Sequence, residues 1–351
     1  MSLADKLAAQ IAQTGPLTMA QYMSACLHDP QFGYYATRPA LGEAGDFVTA
    51  PLVSQMFGEL IGVWAASAWT LMGEPERFRL VEMGPGDGTL MDDLLRAGRA
   101  LPGFLEAADI WLVETSEPLA ALQAQKLGDR VRWARSLDEV PGGAPLLLVA
   151  NELLDCLPAR QFVRAATGWT EQVVGIDRHG ALTFGRVPAP IDLPDAREGA
   201  VLERSAPQEA LGAMLGERLA RDGGAALLID YGRAEPEPGD TLQAIQNHRK
   251  VDPLETAGLA DLTVWADFPS VIAAARETGA KAGPILTQGQ FLLALGILER
   301  AEALAARQPD RVDEIARQLD RLVGEAQMGD LFKVACLCAP GLSPPLFEDA
   351  T

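Results

Sequence analysis

From Phe78 onward the sequence alternates short apolar runs with amphipathic stretches, and this alternation constrains the fold more than any other feature. Arg79 to Met83, Ile110 to Val113, Val131 to Trp133 and Pro145-Leu-Leu-Leu-Val-Ala150 read as strands. Leu90 to Arg99 and Pro118 to Lys126 read as helices between them. The run ending at Ala150 is apolar at every position, the pattern of a strand covered on both faces by helices. Strand and helix in regular succession predict a parallel, doubly wound α/β sheet. After a break the pattern resumes with the helix Gln208 to Leu219 and the strand Ala225-Ala-Leu-Leu-Ile-Asp230. The helices Pro269 to Thr278, Gln290 to Arg307 and Arg311 to Glu325 follow, then a last strand, Leu331 to Cys338.

The break itself reads differently. Gln161 to Ala165, Thr170 to Ile176 and Ala181 to Val187, with turns at Ala166-Thr-Gly168 and Arg178-His-Gly180, predict a small antiparallel ribbon. Ahead of the alternating region the chain is largely helical, with a helix over Leu52 to Leu71 opened by Pro51 and a polar loop before it. The expected organisation is a helical N-terminal region over 1–75, a core over 76–160 and 205–351, and an antiparallel β insertion over 161–204.

One motif stands out within the first strand–helix unit. Leu80-Val-Glu-Met-Gly-Pro-Gly-Asp-Gly-Thr-Leu90 is an apolar strand with an acid near its end, three glycines at alternate positions and a helix start. Glycines 84, 86 and 88 carry no Cβ, so backbone there can turn tightly and approach a ligand. The nicotinamide dinucleotide fingerprint needs a glycine where Thr89 stands, which argues against an oxidoreductase. Acid-x-Gly-x-Gly-x-Gly instead leans toward S-adenosylmethionine (SAM) and methyl transfer. The same glycines also suit a plain tight turn.

Ligands of open parallel sheets bind beyond the carboxyl ends of the strands. Four strand ends deliver polar residues or glycines there: Gly84 to Gly88, Glu114, Asn151-Glu152 with Asp155, and Asp230-Tyr231. Glu114 could accept hydrogen bonds from two ribose hydroxyls, or simply be a solvated strand end. Glu82 could bond a turn amide or touch a cofactor. Asn151 and Asp155 could cap the turn that Pro158 ends. Alternatively, Glu152 and Asp155 could grip a cationic nitrogen beside a methyl donor and aim it, since a guanidinium is not simply deprotonated at neutral pH. His248 follows Thr241-Leu-Gln-Ala-Ile-Gln-Asn in a chain with three histidines, and is either a general base or a structural hydrogen bonder. There is no Gly-x-Ser-x-Gly elbow and no P-loop.

The net charge of −19 excludes a general nucleic-acid binder and would steer cationic substrates, although solubility alone accounts for it. Four cysteines suggest neither a disulfide framework nor a zinc site, so no metal is expected; Cys336 and Cys338 alternate on a strand as core residues. With no signal-like stretch and no apolar run of membrane-spanning length, the chain reads as a soluble, reduced, cytoplasmic protein.

Ordered blocks along nearly the whole chain resemble the MidA family of SAM-dependent methyltransferases, a group that includes a mitochondrial complex I assembly factor that methylates a protein arginine. They are Gly15-Pro-Leu-Thr18, Tyr22-Met23, Gly33-Tyr-Tyr35, Gly45-Asp-Phe-Val-Thr-Ala-Pro51, Ser54-Gln-Met-Phe-Gly-Glu59 and Val81 to Met91. They continue with Asn151-Glu152, Asp155, Leu157-Pro158, Ile229-Asp-Tyr-Gly232, Thr241-Leu-Gln-Ala244, His248, Asp261-Leu-Thr263, Asp267-Phe268 and Met328 to Lys333. Leu52, Leu154 and Trp265 depart from it, where a glutamate, an aromatic and a histidine are expected. The resemblance implies a class I, Rossmann-like methyltransferase fold with SAM at Glu82, Gly84, Gly86, Gly88, Glu114 and Asn151. It implies a protein arginine substrate, with a respiratory complex subunit as a candidate, handled by Glu152, Asp155, Asp46 and His248, with Gly45 to Pro51 as a lid. The insertion would serve a partner or a homodimer. A small-molecule methyltransferase, and an assembly chaperone that binds SAM without needing turnover, remain the alternatives.

Overall fold

The computed structural model describes residues 2–37 and 49–348. They form two compact units, each assembled from three separated stretches of chain. The larger comprises Val48–Leu153, Glu209–Ala234 and Phe268–Thr351; the smaller comprises Met1–Phe47, Leu154–Gln208 and Glu235–Asp267.

The larger unit contributes to its sheet the strands β1 (Phe78–Met83), β2 (Ala108–Val113), β3 (Arg132–Ala134), β4 (Leu146–Asn151), β5 (Gly224–Arg233), β6 (Lys281–Ala282), β7 (Leu286–Thr287) and β8 (Phe332–Cys338). Their order is β6-β8-β5-β4-β1-β2-β3, with β7 also on β8. The pairs from β5 through β4, β1 and β2 to β3 are parallel. The sheet is therefore doubly wound as the alternation predicts, and strand order reverses at β1 and β4. β8 enters antiparallel beside β5, from Ala225 opposite Cys338 to Tyr231 opposite Phe332. Every β4 residue is buried, and Cys336 and Cys338 lie in the core as their alternation implies.

Three helices matter for the site: α1 (Gln55–Leu71), α2 (Thr89–Gly98) and α3 (Glu117–Leu127). α1 buries Met56, Phe57, Leu60, Ile61 and Trp64 on its helical stripe. Each large side chain so buried stabilises the fold by roughly 1.5–3 kcal/mol. It crosses α2 so closely that a Cβ on Gly58 would lie 2.5 Å from Asp93 Cβ, and one on Gly62 2.7 Å from the Leu94 carbonyl oxygen. The single helix expected from Pro51 is in fact two, Ala50–Val53 and α1, because Ser54 is extended and its hydroxyl accepts from the Met56 amide at 3.4 Å. The helix expected over Gln290 to Arg307 is likewise split, with Gly296 in left-handed backbone starting the second piece. Among the described residues no helix is long and apolar enough to cross a membrane.

The smaller unit contains the ribbon Arg160–Ala165, Gly168–Ile176 and Leu182–Pro188, extended by Val201–Arg204. Leu17–Thr18, expected to be helical, adds to it as a strand opposite Val173 and Val174. Thr18 then caps the helix Met19–His28 in a reciprocal capping box with Gln21. A second, three-stranded sheet joins Gln243–Gln246, Arg249–Val251 and Asp261–Thr263. Glu203 ties ribbon to sheet: its carboxylate accepts from Gln161 Nε2 at 3.1 Å, the Thr241 amide at 2.9 Å and the Thr241 hydroxyl at 2.6 Å.

Candidate cofactor site

The glycine turn leaves the end of β1 and enters α2. Gly84, Gly86 and Gly88 have φ of 67°, 55° and 82°, a region that residues with a Cβ rarely adopt. The turn is anchored at its start by the Gly84 amide on the Val113 carbonyl (3.1 Å) and internally by the Gly88 amide on the Pro85 carbonyl (2.8 Å). Asp87 accepts from the Thr89 amide at 2.9 Å and pairs with Lys126 of α3 at 2.7 Å.

Glu114 follows β2, as the strand pattern requires. One carboxylate oxygen accepts from the Ser116 amide at 2.7 Å and the other from Gln123 Nε2 at 3.1 Å. Burial raises its pKa, against these two hydrogen bonds. Beside it lies a cavity of about 300 Å³ lined by Glu114, Ser116, Trp133, Ala134, Arg135 and Glu139.

Glu82 is buried at the end of β1. Burial, reinforced by the Asp87 charge, pushes its carboxyl up to about 8, and Oε2 has no hydrogen-bond partner among the described residues. Asn151 ends β4; its Nδ2 donates to Glu152 Oε1 at 3.1 Å, while its buried Oδ1 is without a partner among the described residues. Glu152 stands in left-handed backbone, φ 52°, a posture that costs a non-glycine residue about 1 kcal/mol or more. Its amide donates to the Ile229 carbonyl at 2.8 Å, and Oε1 also accepts from the Ala50 amide at 3.1 Å. The polar residues after β4 are therefore held by the sheet and by the start of the helix Ala50–Val53.

Asp155 and His248 belong to the smaller unit. Asp155 is buried, and its carbonyl accepts from the Val264 amide at 2.9 Å. Its loop is further held by Gln208 Nε2 on the Leu154 carbonyl (2.8 Å) and Ser205 Oγ on the Pro158 carbonyl (2.9 Å). Nearby, the Tyr35 hydroxyl donates to Asp261 at 3.0 Å, and burial with the charges of Asp261, Cys156 and Asp155 drives its pKa well up. His248 is exposed, and with Asn247 forms the two-residue turn between Gln246 and Arg249, both in left-handed backbone. A turn role accounts for it without a general base. Asp46 and residues 45–48 of the expected lid lie outside the described residues; Thr49 precedes the helix Ala50–Val53.

A family model described as "Putative S-adenosyl-L-methionine-dependent methyltransferase" matches residues 60–285. The chain belongs to this family. It is an SAM-dependent methyltransferase of the class I fold, with SAM as its methyl donor. A superfamily member from Burkholderia thailandensis, solved bound to S-adenosyl-homocysteine (SAH), superposes with a TM-score of 0.86 at 32% identity, covering 96% of this chain and 91% of that one. Among curated relatives, the mitochondrial protein arginine methyltransferase NDUFAF7 of Danio rerio is 35% identical over 95% of this chain and 86% of its own length. The Drosophila melanogaster homologue is 37% identical over 95% and 84%, and the Homo sapiens protein 34% over 93% and 81%. These relatives are named mitochondrial, which overturns the expectation of a cytoplasmic protein. The free thiols of Cys26, Cys156, Cys336 and Cys338 fit reducing conditions, and those are not peculiar to the cytoplasm.

The residues of the methyltransferase site fit SAM. Three left-handed glycines leave backbone bare where side chains would intrude, and two buried side-chain oxygens, Glu82 Oε2 and Asn151 Oδ1, are without a partner among the described residues. Gln123 holds Glu114 and the glycine turn, and in the smaller unit Gln208 holds the loop of Asp155, yet sequence reading gave them no role. Glutamines inside helices carry no local signal, since their partners lie far along the chain.

Proposed function

We propose that this methyltransferase transfers the methyl group of SAM to an arginine of a protein substrate. The observation that carries the reading is Glu152, a carboxylate held in strained backbone at the switch point, beside the glycine turn. The shared name of the curated relatives, protein arginine methyltransferase, supports it.

Bound SAM supplies an electrophilic methyl on a sulfonium sulfur. Gly84, Gly86 and Gly88 let the backbone approach it, Glu114 accepts from the ribose hydroxyls, and Glu82 and Asn151 offer acceptors to its remaining donors. The cavity beside Glu114 takes the adenosine half. Glu152 localises the guanidinium charge and turns one nitrogen toward the methyl carbon, a contribution of alignment and electrostatics. The carbon–sulfur bond breaks as the carbon–nitrogen bond forms, the sulfonium charge is neutralised, and one guanidinium proton passes to solvent. The Ala50 amide and Asn151 Nδ2 both donate to Glu152 Oε1 and hold the carboxylate in place.

Calorimetry with SAH and a methylarginine assay on candidate protein substrates test the reading. Glu152→Gln is expected to keep SAH affinity and lower turnover about a hundredfold; full turnover by this variant overturns the arginine role. Loss of a methylarginine mark in cells lacking the protein identifies the acceptor. The MidA resemblance directs that search first to respiratory complex I subunits. A methylated small molecule in place of the peptide mark would instead favour small-molecule chemistry. Intact complex assembly by Glu152→Gln, with truncation of 161–204 abolishing it, would favour the chaperone reading.

A further inference from the structure

We infer that Gln123 is a positioning residue that joins the glycine turn, the ribose-binding carboxylate and the aromatic wall of the adenosine cavity into one unit; this rests on the cofactor reading just given. Gln123 is completely buried in α3. Its Nε2 donates both to the Gly86 carbonyl at 2.8 Å and to Glu114 at 3.1 Å, and its Oε1 accepts from the Trp133 indole at 2.9 Å. An amide has two N–H donors and a carbonyl acceptor, so both donors and the acceptor are used, each on a different part of the site. No other uncharged side chain of this length offers that combination.

The rest of the same helix face supports the arrangement. At i+3, Lys126 pairs with Asp87 of the turn, and at i+4, Leu127 packs against Gly88, where a Cβ would lie 3.2 Å from Leu127 Cδ1. Gln123 is beside Gly88 too, its Cγ 3.5 Å from that Cβ position. One stripe of α3 therefore clamps the turn, and the glutamine carries the clamp to Glu114 and Trp133. Both of these line the cavity. Without the glutamine, the Gly86 carbonyl, one Glu114 oxygen and the Trp133 indole each lose a buried partner.

The inference separates from simple stability through two readouts. The first is affinity against turnover. Gln123→Met keeps the length and shape of the side chain and deletes its polar atoms. It should weaken SAH binding roughly ten- to hundredfold and raise the KM for SAM to match, while kcat at saturating SAM stays within about threefold. The second is the pH profile. The Gln123 hydrogen bond helps keep Glu114 ionised, beside the protonated Glu82 and the charges of Asp87 and Lys126 on the turn side, and Glu117, Arg135 and Glu139 around the cavity. Its loss should move the acid limb of SAH binding to higher pH.

Trp133→Phe, which removes one donor and leaves Gln123 in place, provides a milder second variant, expected to weaken SAH binding a few-fold. If Glu114→Gln loses SAH while Gln123→Met and Trp133→Phe bind it as wild type with an unmoved acid limb, the inference falls and the cofactor reading stands. If Glu114→Gln binds SAH undiminished, the cofactor reading itself fails. A drop in kcat without a change in KM would also overturn the positioning role.

Discussion

At the scale of single residues, the site stores its tension in two carboxylates. Glu82 is buried with its pKa raised, so the folded protein holds its proton to about pH 8 while the unfolded chain releases it near pH 4.3. The sign follows directly. Between those values the folded state binds more protons, so the stability due to this group is complete below about pH 4.3, falls as pH rises, and levels off above about pH 8. Glu82→Gln should therefore gain stability relative to wild type across that window, with a slope up to about 1.4 kcal/mol per pH unit, and match it in acid. Paired urea melts at pH 5 and pH 8 measure it; a difference that does not grow with pH refutes the burial argument. Glu152 is the other case. Its left-handed backbone is strain that the Ile229 carbonyl bond and the carboxylate contacts hold in place. Neither feature is visible in sequence, where Glu82 reads as a contact to a turn amide or a cofactor and Glu152 as a grip for a cationic nitrogen, with no sign of burial or strain.

At the scale of elements, what was legible followed from periodicity and what was missed followed from contact. The Leu146–Asn151 strand, apolar through Ala150, and the glycine turn announce a parallel sheet because their signals lie within a few residues. Ser54 and Gly296 split helices that periodicity alone would continue, and Leu17–Thr18 became a strand because Val173 and Val174 pair with it. The crossing of α1 and α2 is of the same kind: Gly58 and Gly62 look like weak helix formers until the neighbouring backbone is placed. Gly62→Ala should improve helix propensity by about 1 kcal/mol and still destabilise the fold by about 1–3 kcal/mol, because the new methyl meets the Leu94 carbonyl. A thermal melt above that of wild type would show that the helices can separate without cost.

At the scale of the whole molecule, the cofactor should act as a stabiliser of the larger unit, which carries the glycine turn, Glu114 and the cavity. SAH at a hundred times its Kd contributes about 2.7 kcal/mol, or roughly 5–10 °C for a unit of this size. Scanning calorimetry should show this rise in wild type and none in Gly86→Val; an equal rise in both would move the site elsewhere. The cellular compartment belongs to this scale as well, and composition could not read it, since thiol chemistry reports redox state and not address.

The smaller unit draws its chain from three places, with its final stretch closing only at Asp267. On a translating ribosome, Leu17–Thr18 emerges some 150 residues before the strand it joins, and Glu203 waits for Thr241 before its carboxylate is satisfied. The larger sheet is later still, since β8 follows every other strand of that sheet in the chain and yet enters between β5 and β6. Neither unit can therefore be completed early in synthesis. A nascent chain halted before Phe332 would present β5 with an open edge, and it is at that stage that a holding chaperone would find its substrate.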